Sequence, residues 1–443
     1  MENKTETHRI PVVILGAGMA GLSAAVFIQS HKSQISYQVY ESSSIAGGIS
    51  SSFTIDGFTF DYGIHGIYSK NKDFLKFITE QVKGKQKEFR ISISDYWKGR
   101  WTGHPIHLNL SKIPREEAAV YLIDFLQAKA IPTRTNINNF KEWCINDLGN
   151  KISEEFTFPY IRKFWSVEPE ELTHEWMGER VKVPSVQEIV NGALLKSPPN
   201  LHYVKGVHYP LTAGFGNYAT EMASNLNVQY NKKVISVDPS SKTLRFEDGE
   251  SVKYEKIIST IPLPELIKII DNVPDEIIKA TSGLRTTSVM LINIGLSRPN
   301  SLKYHWVYSL DPEIPFARLS SPSMWSKKNA PKGMSSIQAE VYFSGIKPDV
   351  EMTFKAVIQS LEKMGILKSK EKLIVKDIKI WSYANIIHDH SRPFLIKKIH
   401  EYLRRKEIAF CGRYSFWDYS LIDEVSLKAQ ATAQEVINFL QDS

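Results

Sequence analysis

Only two cysteines, Cys144 and Cys411, occur in 443 residues, so a disulfide framework is excluded and a reducing compartment is favoured. Cys and His residues at metal-ligand spacing are missing too, which removes a structural zinc site from consideration. No apolar run approaches the roughly 20 residues that cross a bilayer. The stretch Met1 to Arg9 is polar and lacks the apolar core of a signal peptide. A cytoplasmic protein is therefore expected, with membrane contact limited to its periphery. Internal repeats and low-complexity linkers are absent, and no basic run carries the interleaved aromatics of a nucleic-acid binder. What remains is ordinary globular composition, 42% hydrophobic and 23% charged, long enough for two or three domains. The net charge of +7 suits an anionic ligand, and it equally suits a solvated basic surface.

The first fifty residues are the most informative. Pro11 to Leu15 is a short apolar run that predicts a buried parallel strand, and Gly16-Ala17-Gly18-Met19-Ala20-Gly21 follows at once. A helical pattern from Leu22 to Ser30 leads to a second strand, Tyr37 to Tyr40, closed by Glu41. Each part has a task in binding a dinucleotide. Gly16 permits the tight turn, Gly18 admits a pyrophosphate to the backbone, and Gly21 lets helix and strand pack closely. The helix N-terminus offers free N–H groups to phosphate, and Glu41 accepts hydrogen bonds from ribose hydroxyls while its charge repels a 2′-phosphate. No second G-x-G-x-x-G occurs, so the chain has no separate site for NAD(P)H.

Farther along, Lys70 to Val82 reads as a helix, and Ile91 to Leu110 as a hairpin around Lys98-Gly99-Arg100. Arg115 to Leu195 is largely helix-patterned. Val228 to Leu244, the Asp248-Gly249 turn and Tyr254 to Pro262 read as a strand meander. Thr286 to Leu296 and Ile337 to Phe343 predict strands of another sheet. The end of the chain, Ile408 to Gln441, reads as strand, turn and closing helix, with Phe410-Cys411-Gly412-Arg413 at the turn.

Six segments carry a family resemblance. Glu41 is followed by Gly47-Gly48 and by Phe53 to His65, as in the flavoproteins with two dinucleotide-binding domains: amine oxidases, protoporphyrinogen oxidases, carotenoid desaturases and UDP-galactopyranose mutases. Ile49 stands where amine oxidases often carry Arg. The run Gly412-Arg413 to Asp423, with Tyr419 inside it, resembles the C-terminal signature of the mutases. Gly63 to Asn71, Gly99 to Pro105, Lys163 to Leu172 and Gly206 to Tyr218 are similar to mutase segments in the same order. Tyr68 replaces a mutase histidine, and Ala317-Arg318-Leu319 replaces its Thr-Arg stretch. The chain thus resembles the amine oxidase and protoporphyrinogen oxidase-like superfamily, and most of all its mutase-like branch.

That resemblance implies an α/β fold with FAD as cofactor. A Rossmann-type FAD-binding domain would be assembled from residues 1–75, 206–285 and 401–443. An inserted α+β substrate domain would come from 76–205, mainly helical, and 286–400. Gly16, Gly18, Ala20, Gly21 and Glu41 are the candidates for the nucleotide. Gly48, Ile49, Ser50, Val234, Gly412, Arg413 and Asp423 complete the cofactor set. His65, Arg318 and Tyr419 are the catalytic candidates, and Tyr68, Arg100, Trp165 and Tyr209 the substrate-binding ones.

Each assignment has a plainer competitor. Tyr419 contacts a phosphate or packs in the core, and Arg318 binds an anion or sits in a surface ion pair. Trp165 lines a pocket or belongs to the core. His65 tunes the flavin or is a hydrogen-bonded structural histidine. Three functions stay open: a mutase acting on a nucleotide-linked sugar in surface polysaccharide synthesis, an oxidase or desaturase whose pocket Trp97, Trp101, Trp306, Trp325 and Trp381 could line, and a flavin-free carrier like the GDP-dissociation inhibitors. The glycines speak against the last, because they have little purpose without a cofactor to approach.

Overall fold

A computed structural model describes residues 9–131, 136–181, 183–196, 204, 206–300 and 302–442. Two seven-stranded sheets organise the chain. In the first, Ile10–Leu15 lies between Tyr37–Tyr40 and Ser251–Ser259, parallel to both, with Val13 opposite Gln38 and Ile257. Val228–Gln229 extends it beside Tyr37–Tyr40, and Ile408–Phe410 joins the far half of Ser251–Ser259, again parallel. The near half of that long strand turns antiparallel into Thr243–Phe246 and Val234–Asp238, which is the expected meander. Segments from the start, middle and end of the chain thus share one sheet.

The helix Met19–Ser30 is buried on nearly every side over its first two turns, so its small residues must sit close to the sheet. The closing helix Ile422–Asp442 packs along it, burying Ala429, Ala433, Val436 and Ile437 in the same core. Val436 and Ile437 each contribute about 1.5–3 kcal/mol of burial there. Alanines at i and i+4 bring the two helix axes together.

The second sheet runs Leu373–Trp381, Ser288–Leu296, Ser335–Phe343, Arg318–Ser320, Trp306–Ser309, Ile93–Trp97, Arg100–Gly103. The hairpin expected at 91–110 forms its last two strands. Ser335–Phe343 is buried through seven of its nine residues, because strands cover it on both sides and the helix Val350–Lys363 contributes to the core against it. The helices Arg115–Ala130, Phe140–Leu148, Phe158–Trp165 and Val186–Leu194 supply the helical part expected between 115 and 195. No described helix is long and apolar enough to cross a membrane.

Candidate active site

The larger cleft begins at the glycine turn. Gly18 caps Met19–Ser30 without a side-chain hydrogen bond, and the first helical turn carries no acidic residue. Its leading N–H groups therefore await an external acceptor. A Cβ on Gly18 would meet nothing nearer than the Gly47 carbonyl at 3.9 Å, so the space above this residue is open. Gly21 is the opposite case: a Cβ there would fall 2.0 Å from the Gly16 carbonyl oxygen. Glu41 ties the turn to the second strand, accepting the Ala17 N–H at 2.8 Å through one oxygen and the Ser43 N–H at 2.9 Å through the other. Lys232 donates its N–H to the Glu41 carbonyl, which brings the start of the meander, and Val234 with it, to the same end of the sheet.

From Gly18 a cleft of about 420 Å³ runs past Ala20, Gly48, Ile49 and Ser50 to His65 and Tyr68. Arg413 and Tyr419 close it from the C-terminal segment, and Arg318 from the second sheet. Arg413 has a buried Nε without a hydrogen-bond partner among the described residues, and its guanidinium lies 4.6 Å from the Tyr419 ring. An open glycine cradle, an uncapped helix N-terminus and a guanidinium with an unpartnered Nε along one cleft fit a bound dinucleotide.

His65 donates from Nδ1 to the Gly63 carbonyl at 3.2 Å, which leaves Nε2 as an acceptor, and its ring packs on Phe215. Burial pulls its pKa down to about 4, so it is neutral at pH 7. Arg318 meets Glu340 at 2.5 Å and donates to the Tyr342 hydroxyl at 2.9 Å. Burial opposes its charge, and Glu340 with the surrounding tyrosines outweighs that and holds the guanidinium protonated.

Glu340 was not visible as a site residue. It is fully buried, and its other oxygen accepts the Ile64 N–H at 2.9 Å, so one carboxylate fixes both Arg318 and the loop that carries His65. The signal was a lone acid in the apolar strand Ser335–Phe343, where a charge needs a partner.

A second cavity, of about 210 Å³, adjoins the cleft. Phe164, Tyr308, Arg318 and Tyr419 line both. Its remaining walls are mostly apolar, and Trp165 is among them, 4% exposed with an indole Nε1 that has no partner among the described residues. Burial pushes the Tyr308 hydroxyl up to about 12.

Several expectations need correction. Tyr209 is fully buried, spends its hydroxyl on Asp61 at 2.7 Å and lines neither cavity. Arg100 lies on the hairpin edge, half-exposed and 3.5 Å from Glu117, outside both cavities. Asp423 lies in the first turn of the closing helix, where it accepts the Glu424 N–H at 2.9 Å and the Ser69 hydroxyl, beside the cleft instead of lining it. Gly412 turns the chain against Ala20, a Cβ there falling 3.1 Å from that side chain. Of the tryptophans, Trp306, Trp325 and Trp381 line the larger cleft, whereas Trp97 is core and Trp101 packs on Tyr96 and Tyr304.

A family model described as flavin containing amine oxidoreductase matches residues 19–437. The chain belongs to this family. As a flavin-containing amine oxidoreductase family member it is an FAD-dependent enzyme. It is similar over 97% of its length to a crystal structure of reduced UDP-galactopyranose mutase, with a TM-score of 0.91, 25% identity and 96% of that chain covered. A putative protoporphyrinogen oxidase from Exiguobacterium sp. 255-15 shares the fold, with a TM-score of 0.74, 15% identity and coverage of 97% and 99% of the two chains. The family member is also 20% identical over 435 residues to 4,4'-diapolycopene oxygenase from Methylomonas sp, covering 85% of each chain.

Proposed function

We propose that the enzyme acts on a nucleotide-linked sugar, in the manner of the UDP-galactopyranose mutases and in surface polysaccharide synthesis. The observation that carries this reading is the junction of the two cavities. Arg318 and Tyr419 face both, so a ligand in the smaller cavity meets one guanidinium and one phenol where it enters the flavin cleft. An anionic group suits that place. The unsatisfied Trp165 Nε1–H asks for a ligand acceptor inside the same cavity.

Within this reading Gly18, Ala20 and the first helical turn take the FAD pyrophosphate, and Glu41 takes a ribose. Gly48, Ile49, Ser50 and Arg413 hold the remainder. Bound FAD supplies two-electron chemistry at its isoalloxazine. Neutral His65 accepts a hydrogen bond through Nε2 beside it, and Glu340 keeps Arg318 charged and aimed. A second reading, an oxidase or oxygenase of an apolar substrate, is favoured by the mostly apolar walls of the smaller cavity.

The test is anaerobic reduction of the purified yellow protein with dithionite, followed by a panel of UDP-sugars with product analysis. Isomerisation of a sugar by the reduced enzyme alone supports the first reading. Inertness toward every sugar, with bleaching of the oxidised enzyme by a polyene, porphyrinogen or amine, replaces it with the second.

A further inference from the structure

The short helix Asn217–Ala223 is entered through the turn Gly214-Phe215-Gly216, and each N–H of that turn is taken by a side chain of the protein. Asn329 Oδ1 accepts the Gly214 N–H at 2.8 Å, Asp61 accepts the Phe215 N–H at 2.8 Å, and Ser52 Oγ accepts the Gly216 N–H at 2.7 Å. The acceptors come from separate places: the start of the strand Ser52–Ile55, the end of the strand Phe58–Asp61, and the segment after the helix Pro322–Trp325. They are also joined to one another. Ser52 donates its hydroxyl to Asp61 at 2.5 Å, Tyr209 donates to the other Asp61 oxygen at 2.7 Å, and Asn329 Nδ2 donates to the Tyr209 oxygen at 3.1 Å.

The turn is held as closely by shape. A Cβ on Gly214 would fall 2.5 Å from Ser52 Oγ, and one on Gly216 would fall 2.6 Å from the Ser52 nitrogen. The helix Met19–Ser30 is the contrast, since its leading N–H groups face an open cleft. Backbone pairing is the usual way to satisfy a buried N–H. Here a carboxylate and an amide are buried to do it, Asp61 at 8% and Asn329 at 1% exposure. A satisfied polar network of this kind rigidifies what it holds.

What it holds faces the flavin cleft. Phe215 lines that cleft, and its ring lies 5.3 Å from the ring of His65. Asp61 reaches the same histidine along the chain: its carbonyl accepts the Gly63 N–H at 2.8 Å, and the Gly63 carbonyl accepts the His65 Nδ1–H at 3.2 Å. One residue thus anchors both the ring packed on His65 and the loop that carries His65. None of Ser52, Asp61 and Asn329 lines either cavity.

We propose that Ser52, Asp61 and Asn329 form a clamp that fixes the orientation of His65 toward the flavin, as positioning residues that touch neither cofactor nor substrate. The proposal rests on the placement of His65 beside the isoalloxazine, and it holds for either substrate class. Releasing one N–H of the turn frees Phe215 from His65, and the imidazole then loses the support that aims Nε2. Glu340 still holds the Ile64 N–H, so the loop stays attached and the change is confined to the ring.

The test is a double-mutant cycle read on the bound flavin of the purified holoenzyme. Ser52→Ala and Asn329→Ala each remove one acceptor of the turn and leave every charge in place. Each should shift the visible absorption bands and the midpoint potential of bound FAD. Each should also weaken FAD binding by about 5- to 30-fold, because the cofactor must then order a turn that is already fixed in the parent. In the His65→Gln background the same substitutions should move neither spectrum nor potential further, since residues that act through one another are not additive. Asp61→Ala should lose more FAD than either; where it fails to fold, the two uncharged variants decide. Val436→Ala lowers stability from the core between the two long helices and should leave spectrum and potential unchanged.

Unmoved spectra and potentials in Ser52→Ala and Asn329→Ala overturn the proposal. A shift that persists in the His65→Gln background, or that Val436→Ala reproduces, overturns it as well, with His65 still beside the flavin. A His65→Gln protein whose flavin matches the parent's in spectrum and potential removes the placement of His65 itself, and the clamp's role with it.

Discussion

The two cavities are built from different materials. The glycine end of the larger is made by backbone: the open face of Gly18, the Gly47-Gly48 turn and the loop from Gly63 to Gly66, all contributed by the first seventy residues. The smaller is made by side chains brought from separate places, with Asp95 on a far strand and His104 just past the next, Tyr160 and Trp165 on a helix, Tyr308 and Arg318 on two more strands, and Tyr419 on the segment before the closing helix. A backbone site repeats wherever the same glycines recur, so it accepts the same cofactor across a family. A side-chain site changes with each substitution, and it is where members of one family part company.

The sharpest way to break the comparison is to give the backbone site a side chain. Gly18→Phe should abolish FAD retention, read as loss of visible absorbance in the purified protein, while the apoprotein keeps its circular dichroism. The space above Gly18 is open, so the ring projects into the cleft without displacing the fold. Gly21→Ala should do the reverse and damage folding, since its Cβ has no room beside the Gly16 carbonyl. A Gly18→Phe protein that purifies with full FAD would remove the phosphate turn from the site.

Next in size is the link between the two cavities. Glu340→Ala leaves the Arg318 guanidinium without its carboxylate and the Ile64 N–H without its acceptor. Loss of one partner of a buried pair costs about 3–5 kcal/mol. Urea denaturation should show that loss, and UDP-galactose binding should weaken in the same variant because Arg318 is no longer aimed. Unchanged binding would place Arg318 in a structural role alone.

The same contrast explains what the sequence made legible. The nucleotide unit was readable because strand, glycines, helix, strand and acid are contiguous, and each residue's task is set by neighbours a few positions away. The meander and the closing helix followed from pattern and turn residues. Tyr209 and Trp165 show the limit. Both are aromatic residues in mutase-like segments, yet Tyr209 is held in the core by Asp61, and Trp165 reaches the cavity. Glu340, Asp95 and His104 lie in segments that read as ordinary strand and hairpin, and only the sheet order brings them to the site.

Two buried groups with opposite pKa shifts give a finer test. His65 is held near 4 against an ordinary 6.5, so its contribution to stability is present above pH 6.5 and is lost as pH falls through 4. Asp61 is pushed by burial up to about 6 against an ordinary 3.8, so its contribution is present below pH 3.8 and is lost as pH rises through 6. The slopes oppose each other between about pH 4 and 6. Denaturation of the apoprotein across that range should show His65→Gln losing less stability on acidification than the parent. Asp61→Asn should lose less on the way up.

The smallest expected effect separates a resemblance in sequence from a place in the site. Arg100 sits in a glycine-flanked run similar to a mutase strand, and its positive charge made it a candidate for the substrate. Its side chain is 41% exposed and its partner Glu117 is 33% exposed, so the pair is worth only about 0–1 kcal/mol. Neither cavity includes it. Arg100→Ala should therefore leave FAD content, UDP-galactose affinity and turnover within about 2-fold of the parent, since a surface charge away from the ligand acts only through a screened field. A marked rise in KM would mean that the hairpin folds over the smaller cavity when substrate binds, and the side-chain site would then extend to the edge of the second sheet.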